Sequence, residues 1–222
     1  MEKENKLGTM PIKRLVITMA LPLIVSNLVQ ALYNIVDSVF VARISEDATK
    51  ALSLAFPVQM LMIAISVGTG VGMSSLMSRK LGEKDFDAAE TAANQGFFLA
   101  ACSYAAFLIF GLFFSEFFFS SVTDNAEICK IGADYLRIVT CFSFGLFVQI
   151  NCERIMQGTG NASWSMITQL VGAVINIILD PILIFGWLGL PEMGVAGAAA
   201  ATVIGQILAA IFACAIIMFR VK

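Results

Sequence analysis

Apolar residues run almost unbroken through six stretches, about 15–42, 51–78, 92–119, 129–155, 163–186 and 195–219, with short polar connections between them. Each is long enough for a helix to cross a bilayer, which takes about 20 mostly apolar residues. The short alternating segments of a membrane barrel are not the pattern seen. An all-α, polytopic membrane protein with six transmembrane helices is therefore predicted, with 1–14 ahead of the first span and 220–222 after the last. The first run is too long for a signal-peptide core and no small-residue cleavage site follows it, so it is read as a retained helix.

Composition sharpens this. Hydrophobic residues make up 59% of the chain and charged ones 14%, with a mean hydropathy of +0.86; soluble domains are nearer a quarter charged. The net charge of −2 and the lack of any Lys/Arg cluster give nucleic acid no surface to bind. With no histidine, a zinc hydrolase site is close to excluded. The five cysteines lie mostly within spans without a C-x-x-C pair and read as small apolar residues. No G-x-x-x-x-G-K-[ST] loop is present, so ATP is not this chain's own energy source. With the N-terminus inside, Lys3, Lys6, Lys13, Arg14, Arg79, Lys80, Lys84, Arg154, Arg220 and Lys222 share one side, against Arg43, Lys50 and Lys130 on the other. That bias places both termini in the cytoplasm.

The connection "SRKLGEKDFDAAETAANQ" is expected to form a short interfacial turn or helix at Arg79–Glu90, and Ser163 is expected to cap the fifth helix. Two stripes of small residues, Gly68 with Gly72 and Gly197 with Ala201 and Gly205, are expected to pack helix on helix.

Polar residues inside the apolar runs carry the chemistry. Asn27, Gln30, Asn34 and Asp37 are spaced by three, four and three, which puts them on one face of the first helix. Gln169, Asn176 and Asp180 repeat the design on the fifth, and Pro181 would free the carbonyl of Ile177 beside them. Counted at 1.5 Å per residue from the outer ends, Asp37 lies roughly 8 Å deep, Asp180 roughly 9 Å, and Thr202, with Gln206 one turn on, roughly 10 Å. An aspartate at the centre of a lone membrane helix costs roughly 2.5–3.5 kcal/mol. Two at one level imply a shared polar cavity. Three uses fit: at least one acid loads and releases a proton; the acids with Asn176 and Thr202 ligate a small cation through hard oxygens; or the groups only hydrogen-bond the helices into place. Asp134 and Arg137, three apart, read as a local ion pair.

"ALYNIVDSVFVA", "SRKLGEKDFDAA", "NIILDPILIF" and "GVAGAAAATVIGQ", in that order and at suitable spacing, resemble the multidrug and toxic compound extrusion (MATE) transporters, closest to the DinF-like bacterial multidrug efflux branch. The resemblance implies a secondary antiporter of the bacterial inner membrane that exports organic cations in exchange for H⁺ or Na⁺, with no cofactor besides that coupling ion. It is not an enzyme on this reading. The resemblance implies coupling, or Na⁺ binding, at Asp37, Asn176, Asp180 and Thr202; Gln30, Asn34 and Gln206 would line the substrate cavity. Members of the family have two six-helix lobes, and this chain resembles the amino-terminal one. A missing carboxy-terminal lobe, or a second copy of this lobe, is the expected partner. Alternatives are a lipid-linked oligosaccharide flippase of the same superfamily, a half-length subunit without transport of its own, and an intramembrane aspartyl protease. The last lacks the G-x-G and Tyr neighbours of its dyad.

Overall fold

The computed structural model describes residues 10–220, with the side chain of Arg220 excepted. Lys3, Lys6 and Lys222, counted above for orientation, lie outside the described residues. Eight α-helices follow in order among the described residues: α1 Ile12–Ala42, α2 Glu46–Gly82, α3 Phe86–Phe113, α4 Ser115–Val122, α5 Ala126–Cys141, α6 Phe144–Gly158, α7 Ala162–Ile184 and α8 Gly194–Arg220. One 3₁₀ turn, Trp187–Gly189, precedes α8. Five helices are each long and apolar enough to span a membrane, and α5 with α6 make a sixth span bent by 47°.

Local chemistry sets the boundaries. Pro11 stands at the N-cap of α1 with no side-chain cap. Ser45 caps α2 by accepting from Ala48 N, and Asp85 caps α3 from Ala88 N. Glu46 and Asp47 begin α2 while Arg79 and Lys80 end it, each pair complementing the helix dipole. The expected interfacial segment at Arg79–Glu90 is the close of α2, a tight turn at Glu83–Asp85 and the start of α3. Asn161, not Ser163, occupies the N-cap of α7, without a side-chain cap bond.

Two expected spans are divided. The run 92–119 stops at Phe113, because its aromatic tail folds separately as α4. There Phe119 is fully buried, its ring filling the space that a Cβ on Gly132 of α5 would take. The run 129–155 breaks at Phe142–Ser143. Thr140 Oγ1 donates to Leu136 O (2.6 Å) and Ser143 Oγ to Thr140 O (2.7 Å), and such back-bonding bends helices.

Helix pairs α7–α8, α2–α3 and α6–α8 make the most extensive contacts, and α1 rests chiefly on α7. Glycine marks the closest approach of α7 and α8. A Cβ on Gly197 would stand 2.5 Å from Leu183 O, and one on Gly205 3.1 Å from Gly172 O. Gly68 and Gly72 behave otherwise: nothing lies within 4 Å of their Cβ positions, and Gly70 is the α2 glycine that packs, against the stem of Arg154. The expected G-x-x-x-G contact is thus absent from the lobe itself, since at 100° per residue Gly70 faces inward and its neighbours two residues away do not. On α1 only Ser26 and Val41 are buried.

Candidate functional site: an acid pair where α1, α7 and α8 meet

Contact between α7 and α8 brings Asn176, Asp180 and Thr202 together, each buried; Asp180 is fully enclosed. Because a carboxylate offers only acceptors, the Asn176 amide turns its nitrogen to Asp180 Oδ2 (2.9 Å), and its oxygen accepts from Thr202 Oγ1 (3.2 Å) and Thr202 N (3.0 Å). Asparagine thereby reads both neighbours at once. From α1, Tyr33 brings its hydroxyl to 3.5 Å from Thr202 Oγ1. Asp37 follows one turn later, half-buried and within electrostatic reach of Asp180. Tyr135 of α5, 3% exposed, completes the wall, its hydroxyl accepting from Gln59 Nε2 at 2.8 Å.

Orphaned oxygens decide what this cluster can do. Asp37 Oδ1, Asp180 Oδ1 and Gln206 Oε1 are buried and find no donor among the described residues. No Lys or Arg among the described residues forms an ion pair with either aspartate. Buried acceptors without donors are costly. A proton on a carboxyl group, or a small cation shared between hard oxygens, would satisfy them.

The first helix divides its polar residues differently from the spacing argument. Ser26, Gln30, Tyr33 and Asp37 form the inward stripe, while Asn27 and Asn34 are exposed. At 100° per residue the two asparagines lie roughly a quarter turn away from that stripe. Gln30 meets Gln169 of α7, which donates to it at 3.4 Å. Gln206 is half-buried one turn inward from Thr202. Tyr33, Tyr135 and Gln59 escaped the sequence reading, since aromatic residues pass as apolar; Tyr33 had a signal in standing four residues before Asp37. Arg137 pairs principally with Glu116 of α4 (2.9 Å) and more distantly with Asp134 (3.9 Å).

Comparison with known proteins gives the family. The MatE family model matches residues 22–182, which contain both aspartates. The chain belongs to the MatE family. Among solved MATE-type structures, it superposes on one lobe of a multidrug resistance MATE family transporter in an outward-facing conformation, with a TM-score of 0.90 and 28% identity, covering 98% of this chain and 48% of that one. A MOP superfamily transporter from Pyrococcus furiosus, described as having a binding pocket of reverse polarity, matches with a TM-score of 0.79 and 30% identity over 98% of this chain and 47% of its own. In sequence, the chain is 26% identical to an FAD transporter of Shewanella oneidensis over 94% of its length and 46% of the relative's. It is also 26% identical to the multidrug export protein MepA of Staphylococcus aureus, over 91% and 44%. The chain therefore spans about half the length of the MATE relatives it matches. It is a multi-pass, all-α membrane protein of this transporter family.

Proposed function

We propose that this chain is the ion-coupling, amino-terminal lobe of a MATE antiporter that exports organic cations in exchange for H⁺ or Na⁺. One observation carries the reading: two carboxyl groups, Asp37 on α1 and Asp180 on α7, each keep a buried oxygen without a donor where α1, α7 and α8 pack together. Asp37 and Asp180 take the ion, Asn176 orients Asp180, and Thr202 supplies a further oxygen. Each elementary charge moved through 100 mV supplies about 2.3 kcal/mol to reset the transporter.

A second six-helix lobe, or a second copy of this one, completes the cavity. The support is the outward face of α1, where Asn27 and Asn34 stand exposed; amide side chains fit protein or water better than lipid tails. Both termini face the cytoplasm on this reading, in a bacterial inner membrane. The charge inventory favours a cationic cargo over the flavin dinucleotide named for the Shewanella relative, since Arg137 is held by Glu116 and Arg154 by Gln157.

Everted vesicles carrying the chain, with any lobe encoded beyond Lys222, provide the test. Uptake of a fluorescent organic cation driven by an imposed proton or Na⁺ gradient should fall to background in Asp37→Asn and in Asp180→Asn, with membrane insertion unchanged. Gradient-driven uptake at the unsubstituted rate in either variant would reject the coupling role, and comparison of the two gradients identifies the ion.

A further inference from the structure

The polar site stops short of the end where α1 and α7 finish. Val41 stands four residues past Asp37, Ile184 four past Asp180, and Ala198 four ahead of Thr202 on α8, which runs the opposite way; each is at most 1% exposed. Four residues are about 6 Å of helix, so every polar group has an apolar neighbour one turn further out. Val41, Ile184, Val195, Ala198 and Ala199 belong to one buried cluster, and Phe40 and Phe185 pack against it. None of these side chains carries a polar atom. An apolar layer drawn from three helices therefore caps the acid pair, and an ion crossing it would have to leave its water behind.

The two seams that α7 makes in this layer are closed in different ways. Against α8, backbone meets backbone: Met193 N donates to Leu183 O at 3.1 Å, and Gly197 lies so near that carbonyl that it has no room for a Cβ. Against α1 the closure is aromatic. The Phe40 and Phe185 rings meet edge to face, with 6.3 Å between centroids and 75° between planes, a geometry that ring quadrupoles favour. Both side chains are half-buried. Trp187, 58% exposed, continues the contact toward the surface, its ring 6.5 Å from that of Phe185.

Of the two, the aromatic seam opens at no cost to the backbone. Parting α7 from α8 breaks a hydrogen bond and unpacks two helices, whereas a phenyl ring has no hydrogen bond to lose. Phe40 is the third residue from the end of α1, and Phe185 is the C-cap of α7. Both rings thus stand at helix ends, where a change of χ1 rotamer swings the ring edge out of the seam.

We propose that Phe40 and Phe185 form the gate of the acid pair. In contact, they shut the α1–α7 seam and hold Asp37 and Asp180 away from water beyond the helix ends. Apart, they let water and a small ion reach both carboxyl groups. An exchanger needs such a closure, because its binding site must face the two sides of the membrane in turn and never together. The rings act by position: they decide when the site is reached and touch neither ion nor cargo in the closed state. The gate's purpose rests on Asp37 and Asp180 being the coupling acids, whereas its closure concerns access alone and stands or falls separately.

Thiol labelling at position 180 reads that access. Asp180→Cys places a thiol in the fully enclosed site, and mass spectrometry follows its modification by a small cationic methanethiosulfonate in the purified chain in lipid nanodiscs. Adding Phe40→Ala or Phe185→Ala should raise the rate by about tenfold, since removing one ring of such a pair favours the open seam. Labelling of Cys152, buried and facing Cys214 of α8, should stay as slow as before. A rate at position 180 unmoved by either substitution overturns the gate. So does an equal rise at Cys152, which would mean that the whole lobe has loosened. Should the alanine variants fail to fold, Phe40→Leu and Phe185→Leu keep apolar bulk but lose the ring edge; a smaller rise is then expected, and its absence overturns the gate. Failure of the coupling reading shows elsewhere, as gradient-driven uptake that survives Asp37→Asn, and leaves these rates untouched.

Discussion

An aspartate with one buried, undonated oxygen settles its account by taking a hydrogen or a cation, and this lobe contains two of them in mutual reach. Asn176 makes the arrangement directional. Its nitrogen serves Asp180 and its oxygen serves Thr202, so an aspartate in its place would add a third acceptor and an alanine would leave Asp180 without its donor. Thr202 contributes less, because its backbone N also serves Asn176. Thr202→Val should therefore leave transport intact but weaken the apparent affinity for the coupling ion by about 1 kcal/mol, roughly fivefold. The ion-concentration dependence of uptake measures this, and an unchanged dependence would remove Thr202 from the site. The two aspartates were legible because a charge within an apolar run is conspicuous. Glu153 of α6, 5% exposed, was not: it sits next to Arg154 near the end of its run, where charges usually meet water, and its burial becomes visible only in the packed structure.

At the scale of elements, small residues in similar spacing do different work. Gly197 admits the Leu183 carbonyl, whereas Gly68 and Gly72 meet nothing within the lobe. Gly197→Ala should cost about 1–3 kcal/mol through overpacking, which lowers the melting temperature by about 2–4 °C per kcal/mol in a domain of this size. Gly68→Ala and Gly72→Ala should leave the melt of this chain unchanged or slightly raised, since alanine is the better helix former. The turn between α2 and α3 has its own pH signature. Hydrogen bonds from Lys80 and Arg79 hold the Glu83 carboxyl below the usual carboxylate range. A depressed acid stabilises above its ordinary value and ceases to do so as pH falls through the depressed one. Hydrogen-exchange protection at Glu83–Asp85 should be flat from about pH 5 upward and decline below about pH 4, and Glu83→Gln should remove that decline. Hydropathy found the spans but not their breaks. Hydroxyl back-bonds at Thr140 and Ser143 leave no trace in an apolar run, and the phenylalanines of α4 keep the run apolar past the point where the chain turns.

For the whole molecule, the lobe is closed on the side of α7 and α8 and open on the side of α1, whose exposed asparagines face away from the core. On the proposed reading, a site at the junction of α1 with α7 would report ion occupancy to whatever covers that face, because α1 rests on α7 and has only two buried residues of its own. Rigid-body rocking of one repeat against another is the usual way such sites are exposed alternately to the two sides.

The length of α2 has a practical corollary. Its 37 residues extend about 55 Å, well beyond a hydrocarbon core of about 30 Å, which leaves length for its end at Arg79 and Lys80 to stand outside the hydrocarbon. A long rod magnifies small rotations: swinging it by a few degrees sweeps its tip through several ångströms. A spin label or fluorophore at Lys84, carried on that pointer, would turn the pivoting of the lobe into a distance that spectroscopy can follow in real time.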